Sequence, residues 1–342
     1  MDIFAFIALF GGLALFLYGI SLMGGALERA ALGGVRRLLG RLTDSPLHGV
    51  LLGAVVTAAV QSSSAVTVIV VGLVGAGALS LRQAIGVIMG ANIGTTVTAH
   101  LLRLGDAATG TAGAGASGVA LLLRLCSPAT LAPVAVLLGT VLYLTARKSR
   151  SLTLGQLLLG FGILFTGMLQ MEAAVAPLGQ TPAFLRLFRS AENPLLGVLA
   201  GAGVTAVIQS SSASVGILQA ASSTGAVSWA AAVPILLGQN IGTCVTPILA
   251  ALGGGGNRGA KQAALVHLLL NLTGTTVFLA GIYGTGWSSR APFWGAPISK
   301  AGIAWFHTFF NLAVTAMLLP FAGTLERLVC RLVPAETRRA PC

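Results

Sequence analysis

The chain contains two copies of one sequence. Residues 45–98, laid without a gap on residues 193–246, agree at 27 of 54 positions, an offset of 148. Pro46 and Pro194, Gln61 and Gln209, and Asn92 and Asn240 keep that offset, as do Gly19 and Gly167 outside the window. Self-similarity at a fixed period means one architectural unit used twice. The agreement is uneven. Gln61–Ala65 matches Gln209–Ala213 at all five positions and Asn92–Thr98 matches Asn240–Thr246 at six of seven, whereas residues 66–89 match at five of 24. The copies diverged where they are apolar and stayed alike where they are polar. Packing alone predicts no such bias, so the polar stretches carry a constraint of their own.

Composition identifies the solvent around them. Hydrophobic residues make up 55% of the chain and charged residues 8%, against about 25% charged in a soluble domain. Several apolar runs reach the ~20 residues that cross a ~30 Å hydrocarbon core. The net charge of +12 lies mostly in the connections and near the C-terminus. That distribution reads as a topology signal, and a nucleic-acid footprint is not expected. The opening "MDIFAFIALFGGLALFLYGISLM" lacks a basic n-region and reads as a first transmembrane helix, not a cleaved signal. Cys126, Cys244, Cys330 and Cys342 have the spacing of neither a zinc site nor a disulfide framework.

Segment lengths predict the topology. Residues 3–23 form a span, and 48–79 is too long for one upright helix at 1.5 Å per residue. Split at Gln61–Ser64, each arm is about 20 Å long and stops near the midplane. Spans follow at 81–103, about 118–146, and 152–170. A second hairpin at 194–226 precedes spans at 228–251, 262–283 and 301–321. Only with both hairpins re-entrant do the basic loops "ARKSRS" (Arg147, Lys148, Arg150), "NRGAK" (Arg258, Lys261) and the tail (Arg327, Arg331, Arg338, Arg339) share the cytoplasmic side. The predicted fold is an all-α polytopic membrane protein of two inverted-topology repeats. Each has three spans and one re-entrant helical hairpin, and one further C-terminal span follows. Residues 1–148 and 149–283 hold the repeats, and 284–342 hold the last span and a basic cytoplasmic tail. The expected location is the plasma membrane, with the N-terminus outside.

Unpaired polar groups in hydrocarbon cost several kcal/mol each. They persist where they line a cavity or bind something. In each hairpin the second arm begins after the serines, so its first backbone N–H groups and its dipole face the tip. Ser64 and Ser212 are placed to cap these arms or to donate outward. Two such ends at the midplane make an anion site without lysine or arginine. The second motif pair is "GANIGTTVT" (90–98) and "GQNIGTCVT" (238–246). Gly94 and Gly242 permit an unwound turn. Asn92, Thr95, Thr96, Asn240 and Thr243 then offer neutral oxygens suited to Na⁺. The motifs contain no carboxylate, which argues against Ca²⁺ or Mg²⁺. Cys244 replaces the hydroxyl that Thr96 supplies in the first copy. Bound Na⁺ would offset the charge of a buried anion, linking the motif pairs into cation-coupled anion transport.

The doubled QSSS-A and G-x-N-I-G-T-x-V-T motifs resemble the type II sodium/phosphate cotransporter family over roughly residues 10–280. "HLLLN" (His267–Asn271) and "HTFFN" (His307–Asn311) resemble H-x-x-x-N helices of that family, and interhelical hydrogen bonding is the expected use of each pair. The resemblance implies Na⁺-coupled transport of inorganic phosphate. Gln61, Ser62, Ser63, Ser64, Gln209, Ser210, Ser211 and Ser212 would meet the phosphate. It also implies Na⁺ as coupling ion and no cofactor, and sets the chain apart from members with a C-terminal PhoU-like domain. The residues themselves leave open a symporter of sulfate or a dicarboxylate; a passive anion channel is the other alternative, against which the doubled N-I-G-T cation site favours the symporter. No catalysis is expected, since the serines lack a G-x-S-x-G elbow. Partners are phosphate, Na⁺ and membrane lipid, and a homodimer is compatible with the sequence.

Overall fold

The computed structural model describes residues 3–31, 43, 45–109, 125, 128–175, 177, 193–222, 225, 227–253 and 257–334. These are helical almost throughout. An isolated antiparallel bridge between Ser228 and Pro297 is the only extended pairing among them. The first half holds α1 (Ile3–Ala31), α2 (Pro46–Val60), α3 (Ser63–Gly75), α4 (Leu81–Thr109), α5 (Pro128–Thr145) and α6 (Ser149–Val175). The second holds α7 (Pro194–Ile208), α8 (Ser211–Ser222), α9 (Trp229–Gly242), α10 (Val245–Gly253) and α11 (Arg258–Leu279). A π turn at Ala280–Gly284 ends α11, and α12 (Trp287–Arg290), α13 (Lys300–Leu318) and α14 (Ala322–Leu332) follow.

Among the described residues, five helical stretches are long and apolar enough to cross a membrane: Ile3–Met23, Ser149–Met171, Trp229–Gly253, Arg258–Gly284 and Lys300–Leu332. The surface supports that reading. Phe4, Phe10, Leu144, Leu195, Leu199 and Phe309 are exposed, whereas Ser63, Ser64, Asn92, Gln219, Gln239 and Asn271 are buried. Large exposed apolar patches mark a surface that meets something other than water.

The duplication is visible in the caps. Ser45 and Pro46 open α2, with the Ser45 hydroxyl accepting from His48 N–H, and Asn193 and Pro194 open α7, with Asn193 Oδ1 accepting from Leu195 and Leu196 N–H. Proline at the first helical position loses no hydrogen bond. Gly77 (φ 69°) follows α3, and its equivalent Gly225 (φ 71°) follows α8. The left-handed conformation there suits glycine.

Glycine notches set the packing. A Cβ on Gly53 would overlap the Val87 carbonyl, one on Gly90 the Val50 carbonyl, and one on Gly94 would meet Ala54 O and Thr57 Cβ. The same clashes recur 148 residues later. Gly201 faces Ile235 O, Gly238 faces Val198 O, and Gly242 faces Ala202 O and Thr205 Cβ. Residue numbers rise together on both partners, so α2 runs parallel to α4 and α7 parallel to α9. Small residues let membrane helices approach backbone to backbone. In α1 and α6, Gly12 faces Gly167 while Gly19 faces Gly160. That pair is antiparallel and contacts are exchanged between equivalent positions, since 12 and 160, and 19 and 167, are offset by 148.

Three expectations change. The first N-I-G-T motif does not unwind: α4 is continuous through Asn92–Thr98. Thr95 Oγ1 donates to Ala91 O (2.8 Å) and Thr96 Oγ1 to Ile93 O (2.8 Å), so both hydroxyls are satisfied inside the helix. Gly94 serves as a packing notch. Only the second copy breaks, at Thr243–Cys244 between α9 and α10. Each second hairpin arm begins within its serine run, at Ser63 and Ser211, and not after it. In the two segments expected as hairpins the helices cover Pro46–Val60 with Ser63–Gly75, and Pro194–Ile208 with Ser211–Ser222, slightly different bounds from those expected. The expected span at 118–146 is described continuously only from Pro128, so Arg124 lies outside the described residues, as do 335–342 of the tail.

Candidate substrate and cation site

The two tips meet. Ser63 Oγ and Ser211 Oγ lie 3.4 Å apart, both buried. Each tip is built identically. Gln61 and Gln209 end the first arms with φ 57°, the only non-glycine residues with positive φ among the described ones. Their N–H groups donate to Thr57 O and Thr205 O, both at 2.7 Å. A side chain in the left-handed region costs about 1–2 kcal/mol, and such strain concentrates at functional sites.

The caps differ from expectation. Ser62 Oγ accepts from Ala65 N–H and Ser210 Oγ from Ala213 N–H, each at 3.2 Å. Ser62 and Ser210 are therefore the N-caps, and Ser64 and Ser212 lie in the first turns. The shift follows from the earlier helix starts. Cap hydroxyls and first-turn N–H groups of α3 and α8 thus share one small region.

The five candidate cation ligands, Asn92, Thr95, Thr96, Asn240 and Thr243, are all buried. Each threonine hydroxyl donates to a backbone carbonyl of its own helix, Thr243 Oγ1 to Gln239 O at 2.8 Å among them. Donation in that direction leaves the oxygen lone pairs unused, which is what a cation needs. Through Gly94 and Gly242, each motif packs on the last turns of its own first arm, beside Thr57 and Ala58 or Thr205 and Ala206.

The two motifs also converge on α11. Asn92 Nδ2 donates to Asn271 Oδ1 (3.0 Å), and His267 Nε2 lies 3.3 Å from Asn92 Oδ1. The amide oxygen can only accept, so Nε2 carries the proton. Asn271 Nδ2 donates to Cys244 Sγ (3.3 Å) and to His267 O (3.0 Å). Cys244, in the place of Thr96, is absorbed into this buried network. Asn240 Nδ2 instead donates to Leu236 O on its own helix (2.9 Å). The equivalent asparagines are therefore differently held. The first H-x-x-x-N pair bonds between helices as expected. The second differs: Asn311 Nδ2 donates to His307 O within α13 (2.9 Å), and buried His307 Nδ1 has no partner among the described residues.

Several polar residues beside the tips escape a reading by motif. Thr205 Oγ1 donates to Ser214 Oγ (2.9 Å) and Gln239 Nε2 to Ser214 O (3.1 Å). In the first copy the corresponding positions are Thr57, Val66 and Ala91, so only the second hairpin has this polar tie. Gln219 Nε2 donates to Ala99 O (3.1 Å) and Lys300 O (3.2 Å), fastening α8 to α4 and α13. Thr67 bonds back to Ser63 O and Ser64 O. The oxygens Thr57 Oγ1, Thr98 Oγ1, Gln209 Oε1, Gln239 Oε1 and Thr246 Oγ1 are buried without a partner among the described residues. Identity at 57/205 and 98/246 was the available signal for the threonines.

The family model described as Na⁺/Pi-cotransporter matches residues 15–173 and 175–291. "Uncharacterized protein YqeW" of Bacillus subtilis (strain 168) is 30% identical over 324 residues, covering 94% of this chain and 96% of that protein. "Putative inorganic phosphate export protein YjbB" of Escherichia coli (strain K12) is 25% identical over 330 residues; the match spans 96% of this chain but 56% of that protein. "Sodium-dependent phosphate transport protein 2C" of Homo sapiens is 46% identical over 81 residues, 23% of this chain and 14% of that protein. No solved structure matches. With the family match running through most of both repeats, the chain belongs to the Na⁺/Pi-cotransporter family.

Proposed function

We propose that this chain carries inorganic phosphate across the plasma membrane in symport with Na⁺. Phosphate is held between the QSSS tips by Gln61, Ser62, Ser63, Ser64, Gln209, Ser210, Ser211 and Ser212. Na⁺ is held by Asn92, Thr95, Thr96, Asn240 and Thr243. The observation that carries this reading is the approach of Ser63 Oγ to Ser211 Oγ at 3.4 Å. It brings two capped helix N-termini together, and such ends bind anions through free N–H groups and the dipole. A sodium-dependent phosphate transport protein among the relatives supports the coupling.

The architecture follows the same logic. A first arm that runs parallel to the helix after its partner arm needs two reversals between them, one at each end of the second arm, which supports re-entrant hairpins at α2–α3 and α7–α8. The antiparallel α1–α6 pair, with its exchanged glycine contacts, supports a two-fold relation perpendicular to the helices, hence inverted repeats. Repeat 1 occupies residues 1–148, repeat 2 residues 149–283, and the last span with the tail 284–342. The basic loops support an outside N-terminus and a cytoplasmic C-terminus.

The test is radiolabelled phosphate flux in proteoliposomes under an imposed Na⁺ or K⁺ gradient. Accumulation beyond equilibrium with Na⁺ alone is expected. Equal, passive entry with either cation would sink the symport reading, and accumulation of sulfate but not phosphate would reassign the anion. A relative named for phosphate export makes the outward direction worth the same measurement, with the gradient reversed.

A further inference from the structure

An aromatic cavity of about 600 Å³ lies where α9, α11, α12 and α13 come together, away from the hairpin tips. Its wall includes Trp229, Phe278, Trp287, Trp294, Phe306 and Phe309. The cavity sits at the end of two apolar helices, α11 and α13, beside the connection that joins them. Aromatic rings of this kind concentrate at membrane interfaces. Phe309 both lines the cavity and stands 60% exposed on the outer face of α13, so the cavity borders the lipid-facing surface.

We propose that this cavity holds one acyl chain of a membrane phospholipid, with the lipid phosphate met by Arg290. Three observations carry the assignment. The wall is almost wholly carbon, so it suits a hydrocarbon chain and not a polar metabolite. Gly281, in the π turn, lines the cavity, and a Cβ built there meets no atom within 4 Å, so the space is open and not a packing gap. Arg290 is exposed one turn after Trp287 on α12 and makes no ion pair among the described residues. No Asp or Glu occurs anywhere between Glu192 and Glu326. No acidic side chain of this stretch competes for Arg290, and a guanidinium pairs well with phosphate. Lipid tails are as apolar as the protein here, so the headgroup contact supplies the selectivity.

The test uses the four tryptophans of the chain. Trp305 faces outward, 61% exposed, and does not line the cavity, so Trp305→Phe leaves Trp229, Trp287 and Trp294, all in its wall. The full chain is reconstituted in phosphatidylcholine and phosphatidylglycerol bearing acyl-chain bromine, a quencher, then extracted in mild detergent and stripped of loose lipid. The expected result is quenched tryptophan emission and one phospholipid per chain by native mass spectrometry. Gly281→Phe fills the cavity and is expected to restore emission and cut the lipid adduct about tenfold, and Arg290→Gln to cut it severalfold. Full emission in the Trp305→Phe chain after stripping would overturn the proposal. So would an adduct that survives both Gly281→Phe and Arg290→Gln. A dimer mass that Gly281→Phe converts to monomer would overturn it in favour of a second copy as occupant.

Discussion

Ser63 and Ser211 are separated by one full repeat in the sequence, and their hydroxyl oxygens lie 3.4 Å apart in the fold. A residue that meets its own equivalent is what a two-fold relation between the copies would produce. Several features of the candidate site come in pairs beside that point: two left-handed glutamines, two serine caps, two N-I-G-T motifs.

The contact itself can be trapped. In a chain with Cys126, Cys244, Cys330 and Cys342 replaced, Ser63→Cys with Ser211→Cys is expected to oxidise to one intramolecular disulfide, given the short reach such bonds need. After cleavage at the exposed Arg147–Lys148 link between α5 and α6, the halves should stay joined on a non-reducing gel and separate with reductant. Halves that separate without reductant would show the tips are not neighbours.

Capping and anion binding are separable at Ser62. Ser62→Ala should remove the α3 cap, costing about 1 kcal/mol, and raise the phosphate KM. Ser62→Asp keeps a good cap but sets a carboxylate at the anion site. Near-native thermal stability with phosphate transport lost is the expected pair of results. Transport surviving in the aspartate variant would move the anion away from this tip.

Gln61 carries a left-handed backbone at φ 57°. Gln61→Gly relieves about 1–2 kcal/mol of strain against about 0.5–1 kcal/mol of added chain entropy. Stability should therefore hold within about 1 kcal/mol while the phosphate KM rises. An unchanged KM would reduce the glutamine to a helix stop.

The two asparagines should respond unequally. Asn92→Ala strands His267 and Asn271, both buried, and should cost about 1–3 kcal/mol of stability as well as weakening Na⁺ activation. Asn240→Ala breaks a bond only to its own helix and should act mainly on Na⁺ activation. Melting temperature and the Na⁺ dependence of uptake, measured side by side, distinguish the two.

Gly90→Ala and Gly238→Ala drive a methyl into the Val50 and Val198 carbonyls. Overpacking of this kind costs about 1–3 kcal/mol, read as lower melting temperature and poorer yield. Gly203→Ala, whose Cβ meets nothing within 4 Å, should instead stabilise α7 by up to about 1 kcal/mol.

The tips were legible because polar side chains in an apolar run have few explanations, and because a second copy shows which letters do not vary. Cap positions were off by two residues, since either serine chemistry can cap and only the backbone decides where a helix starts. Asn-Ile-Gly-Thr read as a break because glycine and threonine weaken helices, but Thr95 and Thr96 satisfy themselves on α4 and Gly94 answers a neighbouring carbonyl. The same letters at Thr243 do end α9, where Cys244 is drawn toward His267 and Asn271. That difference depends on α11, which sits outside either motif. Ser214 and Gln239 went unread for a related reason: they stand where the first copy has Val66 and Ala91, so a comparison of the copies gives no signal there.

The glycine notches have a mechanical consequence. With Gly53, Gly90 and Gly94 letting backbone touch backbone, α2 cannot slide along α4 by a fraction of a turn without collision, and the same holds for α7 on α9. Each tip is therefore geared to a long helix. An excursion that parted Ser63 from Ser211 would have to carry each geared pair as a unit.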